Sequence, residues 1–331
     1  MNAARTSLAG LMIAVLGACA TTAPQQLDII ARDDSFALLR IAQGQTADDL
    51  ARALYGHQGE RWQLDEANPG HSFAAGEVVA APLKPLNISG VYPDGYRVLP
   101  ILCYHQFRQT GATEHRLELS AAAFEQQLKY LRDNHFITLS LDDVAAILRD
   151  EKPIPEKAVV ITIDDGYRSV YDVAYPLLKK YAAKATLFLY TDFIGAGKAL
   201  NWQQVNEMAR SELIDIESHA KSHTSLARLP QDSDEASYRL RLQQEYAGSQ
   251  AAFKRHSGAA PRYLSYPYGD SSELAATLAD THNYVLAATV TRGDNTSATD
   301  PFLLHRTMIY DTHSLPQFAR LLRTFRQADL Q

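Results

Sequence analysis

The chain has 331 residues, 46% of them hydrophobic and 21% charged, which excludes wholesale disorder and collagen-like repeats. A formal net charge of −6 lacks the basic surplus of a general nucleic-acid binder, so no nucleic-acid partner is expected. Two cysteines, Cys19 and Cys103, are too few for a disulfide scaffold or a four-cysteine zinc site.

Residues 1–19 read as an address. Arg5 supplies a positive start, and Leu8 to Ala18 is an apolar run of eleven residues. A spanning helix needs about 20 apolar residues, so the run fits a secretory signal. Its end, Leu16-Gly17-Ala18-Cys19, resembles the lipobox of bacterial lipoproteins. That resemblance implies a lipidated Cys19 as the mature N-terminus and as the attachment to a membrane. An ordinary signal peptide with an incidental cysteine is the competing reading. Ala20, where an Asp would retain a lipoprotein at the inner membrane, implies an exported protein of the outer membrane, facing the periplasm or the cell surface. Residues 20–35 are expected to be a tether, being polar and Pro-containing at Thr21 to Gln26. Cys103, between Leu102 and Tyr104, reads as a buried structural thiol.

Residues 36–84 form a small unit. A strand is expected from Phe36 to Ala42, then a turn at Gly44-Gln45-Thr46 with Thr46 as helix N-cap and Asp49 three residues on. Leu50, Ala53 and Leu54 share a helical face. A second short helix is expected from Glu60 to Ala67, stopped by Asn68-Pro69-Gly70, and Val78 to Ala80 returns as a strand. This βααβ order, with Tyr55-Gly56, Trp62 and Glu66-Ala67-Asn68-Pro69, resembles the LysM module, although Gln45 stands where that family usually has Asp. The resemblance implies binding of N-acetylglucosamine-containing glycans, with Gly44, Thr46, Trp62 and Asn68 among the residues that match. A small packing domain without glycan binding is the alternative. Residues 85–98, with Pro85, Gly90, Pro93 and Gly95, read as a linker.

From Leu99 to the end the chain alternates strands and helices. Strands are expected at Ile101 to Tyr104, Ile137 to Leu139, Ala158 to Ile163, Ala185 to Tyr190, Leu213 to Glu217, Leu264 to Tyr266 and Val285 to Val290. Helices are expected between them, and a last helix from Ser314 to Arg326. This alternation argues for an α/β fold with a largely parallel sheet, whose active groups gather at the carboxyl ends of the strands.

Two such ends carry chemistry. Asp164-Asp165-Gly166 follows the apolar run 158–163, and adjacent carboxylates there are costly unless paired, solvated or bound to a metal. A helix N-cap with an acidic first turn is the bland alternative. His219 and His223 come after the 213–217 strand, and their spacing would put both imidazoles on one face of a helical turn. Thr162-Ile163-Asp164-Asp165-Gly166, the His219/His223 pair, Tyr266-Pro267-Tyr268-Gly269 and Tyr104-His105 together resemble the NodB-like polysaccharide deacetylases, carbohydrate esterase family four.

The resemblance spans about residues 99–326 and implies a distorted (β/α) barrel over 99–331. It implies Asp164 as general base, and one divalent metal held by Asp165, His219 and His223. Zinc is the family default, and the donor set also accepts cobalt, nickel or iron. Tyr266, Pro267, Tyr268 and Gly269 would line the substrate groove with His105, and the Tyr268 N–H would face the oxyanion. Ser265 stands where many members have an Arg that orients the base, and Arg306 is the replacement expected here. His305 is the candidate general acid. The implied reaction removes N-acetyl groups from an N-acetylglucosamine polymer or peptidoglycan. From residues alone, two other readings stay open. One is a glycan-binding lipoprotein with an inactive deacetylase domain. The other is an O-acetyl esterase on the same scaffold.

Overall fold

The computed structural model describes residues 27–84, 87–92, 94–112 and 115–328. The signal sequence, Cys19 and Thr21 to Gln26 lie outside the described residues. Among the described residues no helix is long and apolar enough to cross a membrane.

The amino-terminal module is an antiparallel sheet in the order β1 (Asp28–Arg32), β2 (Phe36–Arg40) and β3 (Val78–Pro82), backed by α1 (Ala47–Tyr55) and α2 (Trp62–Ala67). The expected tether therefore ends earlier, because residues 28–32 pair with β2. Thr46 caps α1 through a reciprocal box with Asp49. Alternation along β2 turns Ala37 and Leu39 inward onto Leu50, Ala51 and Leu64. The Asn68 side chain donates to the carbonyls of Leu64 and Ala80 and accepts from the Ala80 N–H, tying the end of α2 to β3.

The stretch 85–98 is more than a linker. It holds β4 (Val91–Tyr92) and β5 (Gly95–Arg97), and β5 pairs with β16 (Phe325–Gln327) near the carboxyl end. That pairing also shortens the expected last helix: α9 covers only Leu315–Leu321 before the chain turns back as a strand.

The main domain contains β6 (Ile101–Tyr104), β7 (Gln106–Arg108), β8 (Glu118–Ser120), α3 (Ala121–Asp133), β9 (Ile137–Leu139), α4 (Leu141–Leu148) and β10 (Ala158–Ile163). A π-helical turn at 170–174 leads into α5 (Tyr175–Tyr181), β11 (Ala185–Leu189), α6 (Trp202–Ala209) and β12 (Ile214–Ser218). The rest is α7 (Glu235–Ser257), β13 (Tyr263–Ser265), α8 (Glu273–Thr281), β14 (Leu286–Ala288), β15 (Thr307–Met308) and α9. The strands run parallel in the order β14-β13-β12-β11-β10-β6-β15, with β9 on the first half of β10. A bridge from Ala288 to Leu304, just before β15, brings the last strand segment back to β14 and closes a distorted barrel. Every residue of β10 and β11 is buried, as strands covered on both faces require.

Candidate active site

The carboxyl ends of β10, β12 and β13 meet at one mouth. At the end of β10, Asp165 takes a left-handed backbone (φ 77) and Gly166 another (φ 95). A side chain at 166 would also strike Leu189 and Ile194, so glycine is needed for the turn that presents both carboxylates.

Asp164 is buried and fully engaged. The Arg306 guanidinium donates to both its oxygens, at 2.8 and 2.7 Å. Ser265 Oγ and Cys103 Sγ stand at 3.3 and 3.6 Å. Burial alone would raise this carboxyl, but the Arg306 charge overrides it and holds Asp164 well below the usual carboxylate range. Arg306 is itself 1% exposed, and donates further to Thr162 Oγ1, Ser265 Oγ and the Thr289 carbonyl. Ser265 is small enough to leave that space, so an arginine from just before β15 fills it.

Asp165 faces the histidines. Its Oδ1 is 3.5 Å from His219 Nε2 and 3.3 Å from His223 Nε2, and it is buried without a hydrogen-bond partner. His219 Nδ1 lies 2.7 Å from the Ser265 carbonyl, which can only accept, so Nδ1 carries the proton and Nε2 presents its lone pair to Asp165. Burial pushes the His219 pKa down, favouring the neutral ligand form. The ligand atoms of Asp165, His219 and His223 all lie within 4.8 Å of one another. An orphaned buried carboxylate oxygen beside two imidazole nitrogens fits one divalent metal.

The two histidines do not share a helical turn. Residues 219–223 form a loop in which Ala220 (φ 65) and His223 (φ 60) are left-handed. Glu245 of α7 pins this loop by accepting from the Lys221 and Ser222 N–H groups and the Ser222 hydroxyl. Sequence reasoning missed Glu245, since nothing in a polar helix marks the one acid that turns inward.

The other expected residues divide. Tyr268 is 62% exposed, with a left-handed backbone (φ 61), and its hydroxyl lies 3.2 Å from His223 Nδ1. Gly269 admits no side chain, because a Cβ would stand 2.6 Å from the Val290 nitrogen. Pro267 is buried under the turn. Tyr266 is a correction: it is 0% exposed and packs among Tyr246, Leu278 and Tyr284, so it supports the loop from below and offers substrate no surface. His105, just past β6, brings a ring nitrogen within 4.8 Å of an Asp164 oxygen and Cys103 Sγ. His305 does not join them. Its ring lies against Gly293, and Asn295 clamps its peptide N–H and carbonyl. Neighbouring side chains along an extended segment point to opposite sides, and Arg306 takes the inward one.

In the module, Gly44 and Thr46 are exposed, whereas Trp62 and Asn68 are buried. Trp62 donates from Nε1 to Glu60, and its ring lies 5.0 Å from the Arg97 guanidinium. Its face is spent on the barrel domain and is closed to a sugar.

A family model described as polysaccharide deacetylase matches residues 151–287. The Bacillus subtilis polysaccharide deacetylase homologue YxkH is 34% identical over 212 residues, 64% of this chain and 71% of that one. The Escherichia coli poly-beta-1,6-N-acetyl-D-glucosamine N-deacetylase is 26% identical over 265 residues, and the match spans only 39% of its length. Among solved structures, IcaB from Ammonifex degensii superposes with a TM-score of 0.61 at 26% identity, covering 69% of this chain and 98% of that one. The Streptococcus pyogenes deacetylase PplD gives 0.61 at 24% identity over 69% and 99%. With the aspartate pair, the two histidines and the parallel barrel in place, the chain belongs to the NodB-like polysaccharide deacetylase family.

Proposed function

We propose that the protein is a metal-dependent N-deacetylase of an N-acetylglucosamine-containing cell-surface or cell-wall polysaccharide. The observation that carries this is the pairing of two differently equipped carboxylates. Asp164 is held ionised by Arg306, and Asp165 is left unpartnered between two imidazoles. Relatives from Escherichia coli and Staphylococcus epidermidis named poly-beta-1,6-N-acetyl-D-glucosamine N-deacetylases support that polymer as substrate, ahead of peptidoglycan.

Asp165, His219 and His223 would hold the metal, zinc first, with cobalt, nickel or iron as alternatives. Such a cation supplies a Lewis acid that polarises the acetamide carbonyl and acidifies water. Asp164 then takes a proton from the attacking water as its oxygen bonds to the carbonyl carbon. Arg306 and Ser265 hold that carboxylate in place. The Tyr268 turn closes one side of the mouth against His223. As the C–N bond breaks, the amine needs a proton. His105 takes this role in place of His305, because it stands beside Asp164 while His219 and His223 are committed to the metal. Acetate and a free amino sugar result.

Two outer parts complete the reading. Cys19 carries lipid, making the protein an exported lipoprotein of the outer membrane. The LysM-like module holds glycan through the exposed Gln43, Gly44 and Thr46 of its turn and the loop 69–76, not through Trp62 or Asn68. The test is acetate release from poly-β-1,6-N-acetylglucosamine oligomers and from peptidoglycan by metal-loaded protein. Release from one substrate, lost on chelation and in Asp164→Asn, is expected. Intact metal binding with no amide cleavage, but release of acetate from O-acetylated glycan, would replace the reading by an esterase.

A further inference from the structure

Among the described residues, ten large apolar side chains are more than a third exposed, and five of them lie on the small amino-terminal sheet: Ile29, Ile30, Phe36, Leu38 and Val78. Register places Leu38 between Ala31 of β1 and Ala80 of β3, and Phe36 opposite Pro82. The other face of β2, with Ala37 and Leu39, is buried on α1 and α2. The module thus covers one face of its sheet and leaves the other open, which is the pattern of a contact surface.

The chain itself says what lies nearby. Strand β1 starts nine residues after Cys19. Nine residues reach at most about 30 Å when fully extended. If Cys19 is lipidated, the apolar face cannot leave the neighbourhood of the bilayer. We infer that this sheet face, built from Phe36, Leu38 and Val78 with Ile30 at the irregularity of β1 beside them, lies on the phospholipid surface and sets the orientation of the whole enzyme. The inference rests on the lipoprotein reading above.

Charge defines the kind of contact. The rim carries Arg32 and Arg40 but also Asp28, Asp33 and Asp34, and Arg40 stands 3.7 Å from Asp28. The signs offset each other, so the attraction is apolar and insensitive to salt and to anionic lipid content. The acyl chains hold the protein, and the sheet turns it.

The turn has a consequence for the active site. The module meets the barrel at the amino-terminal ends of the strands: Gly59 packs on Ile137, where β9 begins, and Glu66 and Trp62 hold Arg97, just before β6. Asp164 and Asp165 sit past the far end of β10, whose six residues span about 20 Å at ~3.3 Å each. A sheet lying on lipid therefore points the catalytic mouth away from the membrane, toward polymer beyond it.

The test uses the full chain, exported and purified, with acylation of Cys19 read by mass spectrometry. Cys103 is 0% exposed, so a single introduced thiol can be labelled alone once Cys19 is acylated. An environment-sensitive dye is placed at Leu38→Cys or, as a control, at Leu240→Cys on α7, where the native side chain is 56% exposed. Reconstitution into phosphatidylethanolamine–phosphatidylglycerol vesicles should shift the emission of the dye at 38 to the blue. A lipid-borne quencher should quench it there and leave the dye at 240 unchanged. An acylated protein whose dye at 38 stays as wet as that at 240 overturns the docking while the anchor stands. For an unacylated protein the dye is placed in a Cys19→Ser background, so that position 38 is again labelled alone: no shift on vesicles overturns both, whereas a shift supports the docking and removes the anchor. Protection of position 38 that grows with protein concentration, without vesicles, assigns the face to a second copy and overturns the inference.

Discussion

Arg306 and Asp164 show how one residue pair serves both fold and chemistry. Both are buried, so each is tolerable only because of the other. Arg306→Ala is expected to cost about 3–5 kcal/mol in urea unfolding of the metal-free protein, because it strands a buried carboxylate. The same change should cut acetate release on the order of 10²-fold or more, since the base loses both its charge partner and its orientation. Arg306→Lys should recover part of the stability and little of the activity, because an ammonium cannot span both oxygens. The two candidate acids separate just as cleanly. His105→Ala should lower kcat on the order of 10²-fold or more with metal content unchanged. His305→Ala, which empties a packing site beside Gly293, should change kcat less than about threefold while shifting the melting temperature. Swapped outcomes in that pair of kinetic measurements would return the acid role to His305.

Strand β12 carries a quieter ionisable group. Glu217 is buried and accepts from the backbone N–H groups of Arg262 and Tyr263 at 2.7 and 2.8 Å. Burial outweighs those donors and pushes its pKa up to about 8. A folded value above the unfolded one means a stability contribution that is full below about pH 4 and is lost as pH rises toward 8. Glu217→Gln keeps an oxygen for the N–H groups and removes the charge. Its stability relative to the parent should rise by about 1 kcal/mol or more between pH 5 and pH 9, read from urea midpoints. A flat difference would show that Glu217 ionises normally in place. Strand β12 also marks how far sequence carries. The strand itself was legible from its apolar residues, and His219 and His223 from their place just beyond its carboxyl end. The loop geometry between them was not, because Ala220 and His223 adopt left-handed backbones that no propensity favours. Asp164, Asp165 and Arg306 were readable from motif and position. Tyr266 was not, because a motif records which residues recur and not which way each side chain points. Short strands such as β5 and β16 escaped for a related reason: partners distant in the chain define them, and β5 pairs with β16 across more than 200 residues.

At the scale of the whole molecule, the question is whether two domains behave as one body. The contact between them is small but polar and specific. Arg97 is 9% exposed and lies 5.0 Å from the Trp62 ring and 5.5 Å from the Tyr92 ring. It reaches Glu66 at 3.2 Å, and the Tyr92 hydroxyl donates to the same carboxylate at 2.7 Å. Removing the guanidinium therefore frees an indole face and a carboxylate together. Arg97→Ala is expected to weaken the docking by about 1–3 kcal/mol, the scale of a partly desolvated cation–π contact plus an ion pair. Hydrogen exchange at residues 58–66 should speed up while β10 and β12 stay protected, because the module keeps its own core around Leu39, Leu50 and Leu64. Catalysis should tell the two ends of the barrel apart. The mouth is about 20 Å away along β10, so kcat/KM on a short soluble oligomer should stay within about twofold of the parent. With the module's sheet resting on lipid as inferred above, acylated protein on vesicles acting on insoluble polymer should slow instead, because a loosened module would no longer hold the mouth outward. Equal losses on both substrates would mean that the docking shapes the active site itself, and the module would then be a part of the catalytic fold.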